Sequence, residues 1–280
     1  MADDPNPYRI DGPALISFSG GRTSGYMLRH ILGAYHGKLP DDVHVCFANT
    51  GKEREETLRF VHECETRWGV RVHWLEYRSH RGHTVDFEEV GFDTASRRGE
   101  PFDLLIARKQ ALPNWQARWC TSFLKVLVMF AYMRAQGLTA YSEVVGLRAD
   151  EPWRVAKMIG RNADENRTCL APLSRAGVTR RDVMAFWSEQ PFDLGLEPGE
   201  GNCDLCFMKG ARLRASLMRA RPALSPWWVE KEQDGRLFDR RTRYAQLAED
   251  VARSPDMFGP DDPTEEFDAE CGLWCAGEAA

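Results

Sequence analysis

The stretch Ala14–Ser24, ALISFSGGRTS, decides the fold. Its apolar first half predicts a short buried strand, and the two glycines that follow predict a tight turn. Apolar residues then recur at helical spacing, at Met27, Leu28, Ile31 and Leu32. A strand, a glycine turn and a helix in this order form the first half of a parallel β-α-β unit.

The same alternation continues along the chain. Val43–Phe47, Val70–Leu75 and Ser142–Gly146 predict further strands, while Phe123–Gln136 and Thr179–Glu189 predict helices. Residues 78–118 show weak periodicity, so we expect an irregular segment with one or two short helices there. The pattern predicts an α/β fold with a parallel, doubly wound sheet and helices on both faces.

The chain divides by composition into two parts. Residues 1–190 carry the strand–helix alternation and form the expected nucleotide-binding α/β domain. Residues 191–280 contain a CxxC motif and two further cysteines, and we expect a mostly helical extension packed on the first part.

Composition excludes several classes of protein. The 280 residues include 42 acidic and 37 basic side chains, a net charge of −5, which argues against a surface built entirely for nucleic acid. There is no apolar run of membrane-spanning length, and the polar N-terminus resembles no signal peptide, so we expect a cytoplasmic protein without membrane contact. Homo-oligomerisation is left open.

Backbone amides at the start of the first predicted helix favour an anion, and the glycines allow a ligand to approach the backbone closely. The turn therefore predicts a phosphate site, the alternative being a plain strand-to-helix turn with a serine cap. The candidate phosphate-binding residues are Ser19, Gly20, Gly21, Arg22, Thr23 and Ser24.

Two other strand ends carry polar residues. Asn49, Thr50 and Gly51 follow the second strand, and Arg148 follows the strand Ser142–Gly146. Ligands of open parallel sheets bind at the carboxyl ends of strands, so we expect these residues beside the glycine turn. The alternatives are an ordinary turn with a capped helix, and a solvated charge cluster around Arg148.

Eight cysteines in a reducing compartment are expected to be ligands, nucleophiles or buried residues rather than disulfides. The Cys203-x-x-Cys206 spacing suits a shared metal centre, and Cys120 lies 83 positions earlier. Packing is the expected role of three other cysteines, Cys46, Cys64 and Cys169.

The SGGRTS turn resembles the PP-loop of the adenine nucleotide α-hydrolase-like superfamily. The stretch Phe47–Thr57, FANTGKEREET, and the stretch Gly146–Arg154, GLRADEPWR, are similar to strand ends of the phosphoadenosine-phosphosulfate (PAPS/APS) reductase family. The order Cys120, CxxC, then ECGL at Glu270–Leu273 matches the cluster-containing reductases. The fold expected from this resemblance is the PP-loop, or HUP-like, α/β fold.

The resemblance implies a specific chemistry. Cys271 of the ECGL motif would attack the sulfur of APS or PAPS, and thioredoxin or glutathione would release sulfite from the resulting S-sulfocysteine. Arg148 would hold the sulfate, and Lys125 matches a lysine of the family's C-x-x-x-x-K element. Cysteines 120, 203 and 206 would hold a 4Fe–4S cluster.

Two departures from the family pattern leave the ligands open. Trp119 stands where the family has a second cysteine, and an extra cysteine, Cys275, follows the ECGL motif. Cys275 could be the fourth cluster ligand, or the cluster could have three cysteines, as in some tRNA thiolases. Alternatively, Cys203, Cys206, Cys271 and Cys275 could bind Zn²⁺, which would make Cys271 a ligand instead of the nucleophile.

These departures support two rival functions. The first is an ATP-dependent sulfurtransferase or nucleic-acid-modifying enzyme, and the second is a non-catalytic nucleotide-binding module with structural zinc. The basic residues after the CxxC (Lys209, Arg212, Arg214, Arg219 and Arg221) predict a solvated helix face beside a packed Trp227–Trp228 pair. A nucleic-acid channel is the second choice for them.

Overall fold

A computed structural model describes residues 6–253, except 166–167, 198 and 202. Within these residues the chain forms a six-stranded sheet with the order β4-β3-β2-β1-β5-β6. The strands are β1 (Ala14–Ser17), β2 (Val43–Asn49), β3 (Val72–Arg81), β4 (Thr84–Val90), β5 (Ser142–Val144) and β6 (Thr168–Leu170). The first helices are α1 (Arg22–Ala34), α2 (Glu55–Trp68), α3 (Glu100–Lys109), α4 (Trp119–Thr121) and α5 (Leu127–Ala135). They are followed by α6 (Pro152–Glu165), α7 (Pro172–Arg175), α8 (Arg180–Ser188), α9 (Ala211–Ala220), α10 (Ser225–Lys231) and α11 (Tyr244–Arg253).

The parallel part of the sheet contains every strand except β4. Strand β1 lies between β2 and β5, with Ala14 paired to Val43 on one side and to Ser142 on the other. The chain builds outward from β1 through β2 and β3, and later returns to place β5 and β6 on the opposite side. The order therefore reverses beside β1, and such a switch point opens a crevice at the carboxyl ends of the strands.

Helices cover both faces of the sheet, as the sequence predicts. One core packs side chains of α1, α2 and α8 against the sheet, including Met27, Val61 and Trp187. The other core packs α3, α5 and α6 together with the helices after residue 210, including Phe102, Met129 and Leu217. The C-terminal extension thus shares a core with the sheet.

The segment 78–118 differs from the expectation of irregular structure. Strand β3 continues to Arg81, and the chain turns at Gly82 into the antiparallel edge strand β4. Most β4 side chains are exposed or half-buried, and many are charged, which is why the apolar alternation was too weak to reveal the strand. The expected short helix is present as α3.

Two of the predicted helices are present, and the first residues of each have a distinct structure. Asp182 accepts hydrogen bonds from the backbone N–H and the hydroxyl of Thr179, which confirms Thr179 as the N-cap of α8. The helix predicted from Phe123 begins as a π-helical turn, Ser122–Val126, before continuing as α5. Such turns occur often at functional sites, and this one carries Lys125.

Within the described residues, none of the helices combines the length and apolar character needed to cross a membrane.

Candidate functional site

The Ser19–Gly21 turn joins β1 to α1 at the switch point of the sheet. Gly20 has a φ of +76°, and a Cβ added there would lie 2.7 Å from Thr57 Cγ2. Both the left-handed backbone and the close neighbour require glycine. The turn is therefore fixed by the backbone and by the start of α2, where Thr57 lies.

The start of α1 offers groups that can bind an anion. Ser24 Oγ donates to the carbonyl of Gly21 at 3.0 Å, and Ser19 Oγ donates to Ser24 Oγ at 3.0 Å. Among the described residues no side chain caps α1 at Gly21, and buried Thr57 Oγ1 beside the turn has no hydrogen-bond partner. Uncapped amides, hydroxyls and a positive helix end suit a phosphate.

Arg22 has a different partner from the one expected. Its Nε and Nη2 donate to the two carboxylate oxygens of Asp193 at 2.7 and 2.5 Å, and its Nη1 donates to Leu196 O at 2.9 Å. Burial acts to raise the pKa of Asp193, but the hydrogen bonds from Arg22 and the Gly195 amide outweigh it and lower that pKa. Phosphate binding by Arg22 stays a prediction.

Arg148 connects the end of β5 to the glycine turn. It is buried, its Nη1 donates to Thr23 Oγ1 at 3.1 Å, and its Nε donates to Asp150 Oδ1 at 2.9 Å. Glu151 Oε2 accepts a hydrogen bond from the Arg148 amide at 3.0 Å and lies 3.6 Å from its Nη2. The expected proximity is present. Glu151 also pairs with Arg154, so Asp150 and Glu151 together balance the charges of Arg148 and Arg154.

Asn49 is fully buried and holds the end of β2. Its Nδ2 donates to Glu76 Oε1 at 2.7 Å and to Ser96 O at 2.8 Å, while its Oδ1 accepts from the Gly51 amide at 3.1 Å. The carboxylate of Glu76 also accepts from the amide and hydroxyl of Ser96. Asn49 therefore shapes the loop that displays Thr50, and the partner Glu76 was missed because it lies on the next strand.

A polar group forms beyond the end of β2. Thr50 donates to Glu53 from its amide at 2.8 Å and from its hydroxyl at 2.9 Å. The Sγ of Cys203 lies 3.6 Å from Thr50 Oγ1, and Lys125 Nζ lies 3.5 Å from Glu53 Oε1. We call Thr50, Glu53, Lys125 and Cys203 the Cys203 cluster, and it brings the CxxC motif to the same edge of the sheet as the glycine turn.

Buried charges attach the CxxC loop to the end of β2. Lys52 Nζ lies 2.9 Å from Asp204 Oδ2 and 4.8 Å from the centre of the Trp227 ring. Asp204 also accepts from Trp228 Nε1 at 2.7 Å, and its amide donates to Lys52 O at 2.7 Å. A β-bridge between Glu53 and Cys203 completes the attachment.

Lys209 and Arg214 are buried, so the expectation of a solvated helix face is wrong for both residues. The ammonium of Lys209 donates to the carbonyls of Glu200, Cys203 and Asp204 at 3.0, 2.7 and 2.8 Å. Burial lowers the pKa of Lys209 to about 8, although the nearby Cys206 and Cys203 thiols act in the opposite direction. The packed Trp227–Trp228 pair is present, with ring centres 5.0 Å apart.

Burial raises the pKa of the Cys203 thiol, Glu53 acts in the same direction, and Lys125 opposes both. The neutral thiol of Cys203 is therefore favoured over the thiolate when nothing is bound beside it. A bound cation, or a partner that accepts the proton, would be needed to favour the thiolate.

A metal centre stays a prediction. Cys120, Cys203 and Cys206 pack on one core, but among the described residues no group of three or more His, Cys, Asp or Glu side chains is arranged to hold a metal ion. Cys271 and Cys275 lie outside the described residues. Cys46, Cys64 and Cys169 are buried, as expected for packing residues.

No family model matches the chain. The "Uncharacterized nin region protein ORF290" of Escherichia phage lambda is 33% identical over 205 residues, which cover 71% of this chain and 67% of that protein. The chain belongs to the ORF290 family. Identity at this level over most of the chain implies a shared fold, and the name of the relative states no activity.

Two further similarities are more distant. The "Uncharacterized protein MJ0066" of Methanocaldococcus jannaschii is 28% identical over 156 residues, which cover 55% of this chain but only 27% of that protein. The structure of a U34-tRNA thiolase, NcsA, from Methanococcus maripaludis with its [4Fe–4S] cluster aligns with 91% of this chain and 76% of its own, at 12% identity and a TM-score of 0.37.

Proposed function

We propose that this ORF290-family protein is a PP-loop enzyme that binds ATP at the Ser19–Ser24 turn and uses it in sulfur transfer to an acceptor. One observation carries the proposal. The turn after β1 and the Cys203 cluster after β2 lie beside each other at the carboxyl edge of neighbouring strands, so a nucleotide and a thiol can meet there.

The nucleotide phosphates would bind at the start of α1. Its amides and the hydroxyls of Ser19 and Ser24 supply donors, and Gly20 allows the tight left-handed turn that leads into the helix. The buried Thr57 hydroxyl supplies one more unused polar group next to the turn.

The charges around Arg148 give no specific support for a sulfate site. Arg148 and Arg154 are matched by Asp150 and Glu151, so this cluster carries no excess positive charge. With ATP, the acceptor oxygen attacks the α-phosphorus and pyrophosphate leaves. A sulfide-level sulfur nucleophile then displaces AMP, so no net electron transfer is required.

The test is the binding and cleavage of α-³²P-labelled ATP. We expect ATP to bind, and we expect AMP rather than ADP to be formed when bulk RNA or DNA is supplied as acceptor together with sulfide. Gly20→Ala should weaken ATP binding at least tenfold by calorimetry. Gly137→Ala is the matched control, because Gly137 has a similar φ of +78° with no neighbouring atom within 4 Å of an added Cβ. Formation of ADP, or equal binding by both variants, would contradict the proposal.

The second candidate, reduction of APS or PAPS, rests on the ECGL motif at Glu270–Leu273. It requires a covalent S-sulfocysteine at Cys271. Incubation with ³⁵S-labelled APS or PAPS followed by gel analysis distinguishes the two functions. The reductase function would be supported, and sulfur transfer rejected, if the unmodified protein carries the label and the Cys271→Ser variant does not.

A further inference from the structure

A cavity of about 530 Å³ lies between residues 114–116 and the C-terminal extension. Its walls come from the loop 114–116, the start of α9 and the loop 238–242. We call it the Trp115 pocket. It shares no residue with the Ser19–Ser24 turn or with the Cys203 cluster, although Lys209 contributes to its wall and binds the carbonyl of Cys203.

Arg214 is a buried cation in the wall of the Trp115 pocket. The residue is 1% exposed, and its Nη2 donates to Asp239 Oδ2 at 2.6 Å. The Tyr244 ring lies against the guanidinium, with its centre 5.1 Å from Arg214 Cζ. Arg214 therefore holds Asp239 and with it the loop 238–242, which carries Arg240 and Arg241.

The mouth of the pocket is cationic. Arg240 and Arg241 line it and are exposed, and neither side chain forms an ion pair with another described residue. Asp239 is the acidic side chain in the described wall, and Arg214 already pairs with it. The start of α9 at Gly210 adds a positive helix end that no described side chain caps. The pocket therefore favours an anion.

Trp115 gives the pocket an aromatic wall. Its side chain is 44% exposed, and Asn114 and Gln116 beside it also line the cavity. A base that stacks on an indole next to arginines that hold its phosphate is the usual arrangement for single-stranded nucleic acid. The cavity volume matches that of sites for molecules of nucleotide size.

We propose that the Trp115 pocket binds one nucleotide of a single-stranded nucleic acid, with the base against Trp115 and the phosphate at Arg240 and Arg241. A strand fits better than a free nucleotide because Arg240 and Arg241 lie at the open mouth, where neighbouring phosphates of the strand can reach them. A base within a duplex stack cannot enter a pocket of this kind. The proposal stands without the ATP site, since the two share no residues.

The experiment measures fluorescence anisotropy of a labelled 12-nucleotide single-stranded RNA and its DNA equivalent, with the full chain and over a range of salt concentrations. We expect Arg240→Gln/Arg241→Gln to weaken binding about tenfold or more and to lower the salt slope by about 1.4, as for two lost contacts to a single strand. Trp115→Ala should weaken binding at least fivefold, as expected for the loss of one stacked base.

The matched control is Arg29→Gln/Arg134→Gln, which removes the same charge from two exposed positions outside the pocket. It should bind almost as well as the unmodified chain. Equal weakening by both double variants would overturn the proposal, as would preferred binding of a duplex or binding of free AMP without binding of the strand. ATP binding measured on the same Trp115→Ala protein should stay unchanged, so failure of the pocket and failure of the ATP site give different results.

Discussion

The Ser19–Gly21 turn and the Cys203–Cys206 loop lie at the same edge of the sheet but are held there by different forces. The turn is built by residues that are adjacent in sequence, and steric limits at Gly20 fix its shape. The loop is held by Lys52, Glu53 and Thr50, which lie about 150 residues earlier in the chain. The comparison shows that one half of the site is determined locally and the other half by buried charge.

The largest expected loss of stability follows from removal of the charge that holds the CxxC loop. Lys52→Met leaves Asp204 buried without its cation, and we expect the free energy of unfolding to fall by about 4 kcal/mol. Urea unfolding followed by tryptophan fluorescence measures the loss.

Lys231→Met is the control for that change. Lys231 also lies near Trp227 and a carboxylate, with Nζ 3.1 Å from Asp103 Oδ1, but the Asp103 side chain is 40% exposed. We expect this control to lose less than about 1 kcal/mol, since exposed pairs contribute little. Similar losses in the two variants would mean that burial does not decide the strength of the attachment.

The next effect tests the locally built half. Gly20→Ala combines a left-handed backbone with a contact to Thr57, and we expect a loss of about 3 kcal/mol in unfolding free energy. Gly137→Ala has the backbone strain without the contact, so it should lose only about 1 kcal/mol. Denaturation of both variants under one set of conditions provides the comparison. Equal losses of unfolding free energy would show that the contact with Thr57 is not what requires glycine at position 20.

A smaller effect is the loss of stability at acidic pH. The folded pKa values of Asp150 and Asp193 are lowered: burial opposes the shift in both, and hydrogen bonds from the Arg180 amide and Arg148, or from Arg22 and the Gly195 amide, outweigh it. The resulting stabilisation is present above the unfolded pKa of about 3.9 and is lost as the pH falls through the folded values. We expect unfolding free energy to decline below about pH 4.

Arg22→Gln should make that acid decline less steep, because Asp193 then loses the partner that lowers its pKa. Arg29→Gln, an exposed arginine on the same helix, should leave the decline unchanged. Chemical unfolding between pH 3 and pH 7 measures both slopes. An unchanged slope in Arg22→Gln would show that the Arg22–Asp193 pair contributes nothing in solution.

The smallest effect is in thiol reactivity. Burial raises the pKa of Cys46 and Cys64, with nearby Glu89 and Glu63 acting in the same direction, so both should resist iodoacetamide at pH 8 in the folded protein. Cys120 is half-buried and should react sooner. Mass spectrometry of the labelled peptides with and without urea gives the order. Early labelling of Cys46 would contradict the packing assignment.

The same contrast explains which features the sequence could reveal. Strands β1 and β2 and the start of α8 at Thr179 follow from local patterns, and the structure contains them. Strand β4 was missed because an edge strand can be polar on both faces. The Glu76 partner of Asn49 and the burial of Lys209 and Arg214 depend on contacts between distant segments, which no local pattern encodes. Arg22 had the expected position in the turn, but its partner Asp193 lies 171 residues away.

The β-bridge between Glu53 and Cys203 also sets an order of events during translation. Its two residues are 150 positions apart, so at about 5–20 residues per second the ribosome makes Cys203 roughly 8–30 s after Glu53. Strand β2 and the glycine turn leave the ribosome early, and Lys52 has no Asp204 to pair with until the CxxC loop is made. A newly made chain therefore passes through a period in which the glycine turn is present and the CxxC loop is not.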